Sequence, residues 1–259
     1  ILKDRYNNIK MVTLTDITSR VAYEKNLIEA NLTKDKFLSI IAHDLKGPLG
    51  SFIQILDLMN SKSDFTVEKV KTALSILDRS AKNIFNLLDN LLKWSAAQRG
   101  DMNFNPKYID VNLLILSITE LFDVMLKQKN LQIKTSIVGN LKVYADIEMF
   151  GTVLRNLINT AVKFSNPGSF IHIKAEAINN FIEITVSDEG VGMSQEQIEK
   201  LFRIDAKSQS AAGTRGEKGT GLGLILCKEF VGKMGGSIHV ESTKNVGSNF
   251  HFTVPATAP

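Results

Sequence analysis

One apolar pattern constrains the fold of this chain more than any other feature. Between residues 70 and 91, apolar side chains recur alternately four and three residues apart, at Val70, Leu74, Leu77, Ala81, Ile84, Leu88 and Leu91. This is the spacing of a coiled-coil seam, and it predicts a helix from about Thr66 to Ala97. Such a helix needs a partner that covers its seam.

An earlier segment supplies one such partner. From about Ser19 to Met59 the chain is helix-forming, with an apolar stripe at Leu38, Ile41, Leu45, Leu49, Phe52 and Leu56. We expect the GPLG segment to interrupt this helix and Pro48 to bend it. The NSKSDF turn joins the two helices into an antiparallel hairpin. Because one hairpin cannot cover both stripes, we predict that two hairpins pair in a four-helix bundle and that the protein is a homodimer.

Helix and strand patterns mix in the rest of the chain. A linker at 99–108 leads into a helix from about Val111 to Lys127 and later into the helix that contains Asn156. Strands are predicted near Leu131–Ile137, Lys142–Tyr144, Ser169–Ala177 and Phe181–Ser187, followed by a short helix, a Gly-rich segment, another helix and two final strands. This order predicts an α/β sandwich of about 150 residues.

We therefore predict an α+β protein with four parts. Residues 1–18 end in the β-branched segment Ile9–Thr18, typical of the last strand of a truncated domain. Residues 19–98 form the long helix and the hairpin, 99–109 the linker and first strand, and 110–259 the sandwich.

Composition narrows the classes of function. The chain has 259 residues, 44% of them apolar, and a net charge of +4 without a dense Lys/Arg run, so nucleic acid is not a predicted partner. A single cysteine, Cys227, excludes an intrachain disulfide and suits a reducing, cytoplasmic location. No apolar run of about 20 residues predicts a membrane span, so no membrane contact is expected within this fragment. The start at Ile1 indicates a piece of a longer protein, whose membrane attachment stays open.

Several segments carry side chains that suit chemistry. In RNLINTAVKFS, Asn156, Asn159, Thr160 and Lys163 share one helix face; a solvated surface is the simpler interpretation of that segment alone. In VSDEGVGM, Asp188 ends a strand, where a carboxylate can accept a hydrogen bond from an exocyclic amine such as that of adenine, although a tight turn is equally consistent.

A histidine and a glycine-rich loop complete the set. His43 is predicted to face away from the apolar stripe, and the neighbouring Asp44 can hold one ring nitrogen as N–H and leave the other as a nucleophile. GTRGEKGTGLGL precedes a helix whose N-terminus suits phosphate. This loop lacks the features of a dinucleotide fingerprint or a P-loop.

The combination is more specific than its parts. In order and spacing, AHDLKGP, RNLINTAVKFS, DEGVGM, LFRID and GTGLGL resemble the H box, N box, first glycine box, F box and second glycine box of sensor histidine kinases, across about residues 33–255. The resemblance implies a HisKA-type dimerisation and phosphoacceptor hairpin and an ATP-binding domain of the GHKL (Bergerat) type. LTDITSR, at 14–20, also resembles the exit of a PAS sensor domain.

The resemblance implies a role for each matching residue. His43 attacks the γ-phosphate of ATP with Asp44 as its orienting base, and the phosphoryl group passes to an aspartate on a response-regulator receiver domain. Asp188 holds adenine, in a pocket shaped by Gly190 and Gly192. The groups implied to contact the rest of the nucleotide, directly or through Mg²⁺, are Asn156, Asn159, Lys163, Phe164, Arg203, Gly219, Thr220, Gly221, Leu222 and Gly223.

Two positions depart from the family pattern. Thr160 stands where the family has an asparagine, usually a Mg²⁺ ligand beside Asn156; its hydroxyl is shorter and a poorer oxygen donor, so we expect looser metal geometry and reduced activity. Gly47 stands where kinases that also dephosphorylate their regulator usually have threonine or asparagine, which puts phosphatase activity in doubt.

Three functions therefore compete. The first is an active, dimeric histidine kinase. The second, motivated by Thr160, is a catalytically weakened signalling scaffold or pseudokinase. The third is a gyrase-like ATPase, which is disfavoured because Asn156 occupies the place of the water-activating glutamate of those enzymes.

Overall fold

The computed structural model describes residues 2–3, 9–10, 16–61, 66–99, 103–203, 213–215, 217 and 221–258. Side chains are described for all of these except residues 2–3, 9–10, 22, 26–27, 29–30, 32–38, 40, 43 and 98. The chain forms two compact units, residues 1–42 and residues 43–259. The predicted four-part division stays a prediction.

The first unit contains a short antiparallel strand pair and the beginning of a long helix. β1 (Leu2–Lys3) pairs with β2 (Ile9–Lys10), and α1 (Thr18–Ser61) starts in this unit. The Asp16 carboxylate accepts a hydrogen bond of 2.9 Å from the Thr18 backbone N–H, which turns the chain into the helix. The predicted strand over Ile9–Thr18 is therefore wrong at its C-terminal end, while residues 11–15 lie outside the described residues.

The second unit continues α1 to Ser61 and adds α2 (Val67–Arg99). The predicted interruption at the GPLG segment is wrong, because α1 remains helical through Gly47–Gly50. Pro48 has no backbone N–H to donate within the helix, but the helical turns on both sides persist. The Ser51 hydroxyl also donates a hydrogen bond to the Gly47 carbonyl at 3.2 Å. α2 begins where predicted, with the Thr66 hydroxyl accepting from the Lys69 N–H at 3.4 Å.

The rest of the second unit is an α/β sandwich. Its first elements are β3 (Lys107–Asp110), α3 (Val111–Glu120), α4 (Asp123–Lys129), β4 (Gln132–Ile137), β5 (Lys142–Ala145) and α5 (Ile147–Phe164). Then follow β6 (Phe170–Ile178), β7 (Phe181–Asp188), α6 (Gln195–Lys200), α7 (Gly223–Lys233), β8 (Ile238–Thr243) and β9 (Gly247–Pro255). The main sheet has five strands in the order β4-β6-β7-β9-β8, parallel only between β4 and β6, and β3 pairs separately with β5.

The helix predicted from Val111 to Lys127 is wrong as one element, because it divides into α3 and α4. Phe122, at the division, has φ −96° and ψ −2°, away from ideal helix geometry, and its side chain is buried in the core. Burial of this aromatic side chain thus accompanies the break in the helix. The α+β class is confirmed.

α5 connects the core to the polar side chains highlighted by the sequence. Asp146 caps its start by accepting from the N–H groups of Glu148 and Met149 at 3.0 and 3.1 Å. Its apolar face is fully buried between the sheet and the neighbouring helices, at Phe150, Val153, Leu154, Leu157, Ile158 and Ala161. The opposite face is more open, as predicted. None of the described helices combines the length and apolar character needed to cross a bilayer.

Candidate functional site

A buried carboxylate lies at the end of a central strand. Asp188 is the last residue of β7 and only 6% exposed. Its Oδ1 accepts a hydrogen bond of 3.0 Å from the Gly190 N–H. Burial raises the pKa of this carboxyl to about 6, and hydrogen bonds from Gly190 and Ser248 oppose the rise. The group is ionised at neutral pH and can accept a further hydrogen bond.

The glycines that follow Asp188 are required by close backbone packing. A Cβ on Gly190 would collide with the carbonyl oxygen of Phe164 at the end of α5, and Gly192 has φ +57°. The Val191 N–H also donates to the Phe164 carbonyl at 3.3 Å. The Asp188 loop is thereby held against the C-terminal end of α5.

Asn156 presents an oxygen to the start of α7. Its Nδ2 donates to the Thr152 carbonyl at 3.0 Å, which orients the amide with Oδ1 pointing away from that turn. A Cβ on Gly223 would lie 2.7 Å from this Oδ1, so glycine at 223 leaves the oxygen uncrowded. The structure therefore brings together the N-box and second-glycine-box segments.

Thr160 is turned toward its own helix. Its hydroxyl donates to the Asn156 carbonyl at 2.7 Å, four residues back. The oxygen keeps lone pairs that can accept, but the side chain is short and held close to the backbone. Asn159, on the same face, is exposed.

Lys163 lies one turn further along α5 and is half-buried. Its Nζ is 4.5 Å from the centroid of the Phe164 ring. Burial lowers the pKa of this ammonium, and the charge of Glu217 opposes the shift.

The start of α7 lacks a side-chain cap among the described residues, so its first N–H groups suit an anion. Gly221 has φ +66°, and Leu222 is buried at 3% exposure. Arg203 is exposed. The predicted contacts Gly219 and Thr220 lie outside the described residues.

Lys129 is a buried residue that the sequence did not single out. It is 3% exposed, and its Nζ donates to the carbonyls of Val162 and Lys163 at 2.7 and 2.8 Å and to Glu217 Oε1 at 3.3 Å. The Thr214 hydroxyl donates to the Ser165 carbonyl at 2.9 Å. These contacts fix the described part of the glycine-rich segment to the end of α5. A lysine in a short helix gives no sequence signal for such a role, because lysines are usually exposed.

The predicted nucleophile lies on α1. The side chain of His43 lies outside the described residues, and the neighbouring Asp44 is half-buried. The geometry of the pair and its relation to Asp188 therefore stay predictions.

Comparisons with known proteins match this architecture. Residues 145–258 match the family of Histidine kinase-, DNA gyrase B-, and HSP90-like ATPases. The chain is 29% identical to the sensor protein EvgS of Escherichia coli strain K12 over 93% of its own length, and 28% identical to the sensor histidine kinase RcsC of that strain over 97%. Residues 145–258 thus match this ATPase family, and nearly the whole chain is similar to sensor histidine kinases. The chain spans 20% of the length of EvgS and 27% of that of RcsC.

Two solved structures share the fold of this chain. The histidine kinase ThkA, in complex with the response regulator protein TrrA, has a TM-score of 0.70 at 20% identity and covers 94% of this chain and 68% of that chain. Full-length ShkA in complex with AMPPNP has a TM-score of 0.60 at 21% identity and covers 86% of this chain and 46% of that chain. At these identities the likeness shows the fold alone. It confirms the predicted helices followed by a GHKL-type sandwich.

Proposed function

We propose that this chain binds ATP in the sandwich, transfers the γ-phosphoryl group to His43, and passes it to an aspartate of a response-regulator receiver domain. One observation carries the proposal. The buried Asp188 loop packs against the Phe164 carbonyl at the end of α5, and the start of α7 lies beside Asn156 on the polar face of the same helix. Two structural neighbours, ShkA in complex with AMPPNP and ThkA in complex with the response regulator protein TrrA, support the choice of nucleotide and partner.

In this proposal, Asp188 recognises adenine. A carboxylate is an acceptor only, so it selects the exocyclic amine of adenine over a carbonyl at that position. The N–H groups at the start of α7 and the Lys163 ammonium face the phosphates. Asn159, Phe164 and Arg203 complete the proposed nucleotide contacts.

The oxygen ligands on the polar face of α5 suit a Mg²⁺ ion only in part. Asn156 offers an amide oxygen that is oriented by Thr152 and uncrowded by Gly223. Thr160 offers a hydroxyl oxygen whose proton already bonds the helix. Asn156 and Thr160 would hold the ion, which supplies charge neutralisation on the triphosphate when bound. We infer that a short hydroxyl at 160 lowers the autophosphorylation rate.

The proposed transfer is a displacement at phosphorus. A ring nitrogen of His43 forms a bond to the γ-phosphorus as the bond to the bridging oxygen breaks, and ADP leaves. Asp44 keeps the other ring nitrogen in place by accepting its N–H. An aspartate oxygen of the receiver then bonds to phosphorus as the N–P bond breaks, which regenerates His43. Positioning and charge neutralisation are sufficient for such a step.

Apolar exposure on the long helices supports the proposed homodimer. Large apolar side chains remain open on both helices, including Leu49, Ile53, Leu56, Leu74 and Leu88. Exposed apolar side chains that cluster on one surface are typical of an interaction site. A second copy of the chain, with the same stripes, would cover it in a four-helix bundle.

A weakened signalling scaffold is the second candidate, and Thr160 is the observation that favours it. Incubation with γ-labelled ATP and Mg²⁺, followed by an acid-lability test, separates the candidates. An acid-labile label supports the kinase, and absence of label supports the scaffold. Steady phosphate release without label would instead indicate an ATPase and would overturn the proposal.

A further inference from the structure

The outward face of the main sheet carries a histidine cluster that the nucleotide site does not use. His251 lies on β9 between Phe250 and Phe252, whose side chains are buried in the core, so His251 points to the opposite face. His239 is its direct partner on β8, and Glu241 lies two residues further along that strand. Two histidines and a carboxylate therefore share one face of a hairpin.

The three side chains lie close enough to share one ion. The rings of His239 and His251 are stacked, with centroids 4.6 Å apart and 5° between their planes. One ligand atom from each of the three residues lies within 4.8 Å of the others. Two ligands of a tetrahedral ion with bonds of about 2.1 Å are about 3.4 Å apart. Small side-chain rotations would bring the three ligand atoms to this separation.

His251 is oriented in the way that metal-binding histidines usually are. Its Nδ1 lies 3.1 Å from the Thr185 hydroxyl and 3.7 Å from Glu183 Oε1, so a proton on Nδ1 has partners. Its Nε2 is buried and has no hydrogen-bond partner in the described part of the chain, and the Glu241 carboxylate is 4.0 Å away. When the proton is on Nδ1, donated to Thr185 or Glu183, the Nε2 lone pair is available to bind a metal.

We propose that His239, Glu241 and His251 bind a divalent transition-metal ion of the zinc class. Two imidazole nitrogens and one carboxylate oxygen suit Zn²⁺, whereas Mg²⁺ and Ca²⁺ favour all-oxygen sites. Three protein ligands leave a fourth position for water. This site is distinct from the Asn156 and Thr160 oxygens in both ligand type and location.

A bound ion would connect β8, at the edge of the sheet, to β9. Ligand binding to the folded state alone stabilises that state by mass action. Zinc is therefore expected to raise the thermal midpoint of the sandwich. The exposed positions of His239 and Glu241 allow both to be replaced without disturbing the core.

The test uses metal-free, nucleotide-free protein titrated with zinc chloride in a calorimeter. Wild type is expected to show a saturable site with one ion per chain, and His239→Gln and Glu241→Gln are each expected to weaken it by more than about 10-fold, since loss of a group that only supports a ligand already costs about 10- to 100-fold. The control is His172→Gln. His172 is exposed on the same face but three strand spacings from Glu241, about 14 Å, and this variant should bind like wild type.

Thermal unfolding provides the second readout. Zinc should raise the midpoint of wild type and His172→Gln, and this shift should disappear in His239→Gln. Absence of zinc binding by wild type would overturn the proposal. Equal binding by wild type and His239→Gln would overturn it as well, because the ion would then lie elsewhere, for example at His43.

Discussion

α2 and α5 are both amphipathic helices, but only one of them is covered within a single chain. The apolar face of α5 is fully buried, from Phe150 to Ala161. On α2, Leu74 is 54% exposed and Leu88 is 41% exposed. The sandwich thus completes its own core, whereas α2 leaves apolar surface exposed, which the proposed homodimer would cover. We infer that nucleotide binding is a property of one chain and that phosphoacceptor function depends on pairing.

The largest expected effect is loss of the proposed dimer when a charge is placed in the α2 seam. Leu77→Lys would place an unpaired charge in the proposed bundle and should convert the dimer to monomers or aggregates, measured by light scattering. Ser75→Lys adds the same charge on the opposite face of α2 and should leave the dimer intact. A dimeric Leu77→Lys protein would show that the seam is elsewhere.

Asp188→Asn should weaken ATP binding at the proposed nucleotide site of the sandwich and leave the two long helices unaffected. Loss of a charged acceptor is expected to weaken ATP binding by about 10- to 100-fold, measured by calorimetry. In wild type, ATP affinity should fall as the pH drops through about 6, the raised pKa of Asp188, and the variant should lack this dependence. Glu189→Gln neutralises the adjacent, exposed carboxylate and serves as the control. An unchanged ATP affinity in Asp188→Asn would show that Asp188 does not bind adenine.

The same variant should make the fold more stable. Because burial raises the pKa of Asp188 from 3.8 to about 6, the folded state holds the proton more tightly than the unfolded state. Protonation of Asp188 therefore stabilises the folded state at low pH. This stabilisation, about 3 kcal/mol, is lost as the pH rises through 6. At pH 8, Asp188→Asn should therefore raise the free energy of unfolding by about 1–3 kcal/mol in urea titrations. A lower value would contradict the burial argument.

Thr160→Asn should restore a metal ligand within the sandwich. We expect autophosphorylation in Mg²⁺ to rise about tenfold, well within the roughly 100-fold loss that imprecise positioning can cause. Thr160→Ser keeps the hydroxyl and should give no gain. Initial rates across a Mg²⁺ titration, with nucleotide affinity measured alongside, provide the check. Equal rates and equal Mg²⁺ dependence for Thr160→Asn and wild type would show that threonine serves as well as asparagine.

Lys129→Met should test how firmly the glycine-rich segment is attached to α5. It would remove the donor for the carbonyls of Val162 and Lys163, so the free energy of unfolding should fall by about 1–3 kcal/mol. Lys127→Met, on the exposed side of the same helix, should change it little. Equal unfolding curves for both variants would mean that Lys129 does not stabilise this region.

The sequence predicted the parts of the fold that depend on regular patterns. The seven-residue repeat predicted α2, and the 3.6-residue period predicted the buried and open faces of α5, because each period follows from helix geometry. The break between α3 and α4 had no such signal, since it accompanies long-range burial of Phe122. Helix continuity through Pro48 was likewise missed, because a proline is tolerated where the flanking turns persist.

The residues of the candidate site were also predicted only in part from the sequence. The resemblance to sensor histidine kinases implied a shared site for Asp188, Gly190, Asn156 and Gly223; in the structure Gly190 packs against the end of α5 and Gly223 lies beside Asn156, while their role as one site stays a prediction. Lys129 and the outward histidines were not found, because their partners are distant in sequence: Lys129 meets Glu217, and His251 meets His239 across a strand pair. The alternation in IHVEST is a signal that could have drawn attention to His239 and Glu241.

The most direct test of the central claim compares labelling and nucleotide binding in wild type, His43→Gln and His172→Gln. We predict that wild type and His172→Gln acquire an acid-labile label from γ-labelled ATP, and that His43→Gln acquires none. All three should bind ATP with the same affinity, because every residue of the proposed nucleotide site lies within the sandwich. A labelled His43→Gln protein would contradict the assignment of the nucleophile, and loss of ATP binding in that variant would contradict the separation of the two regions.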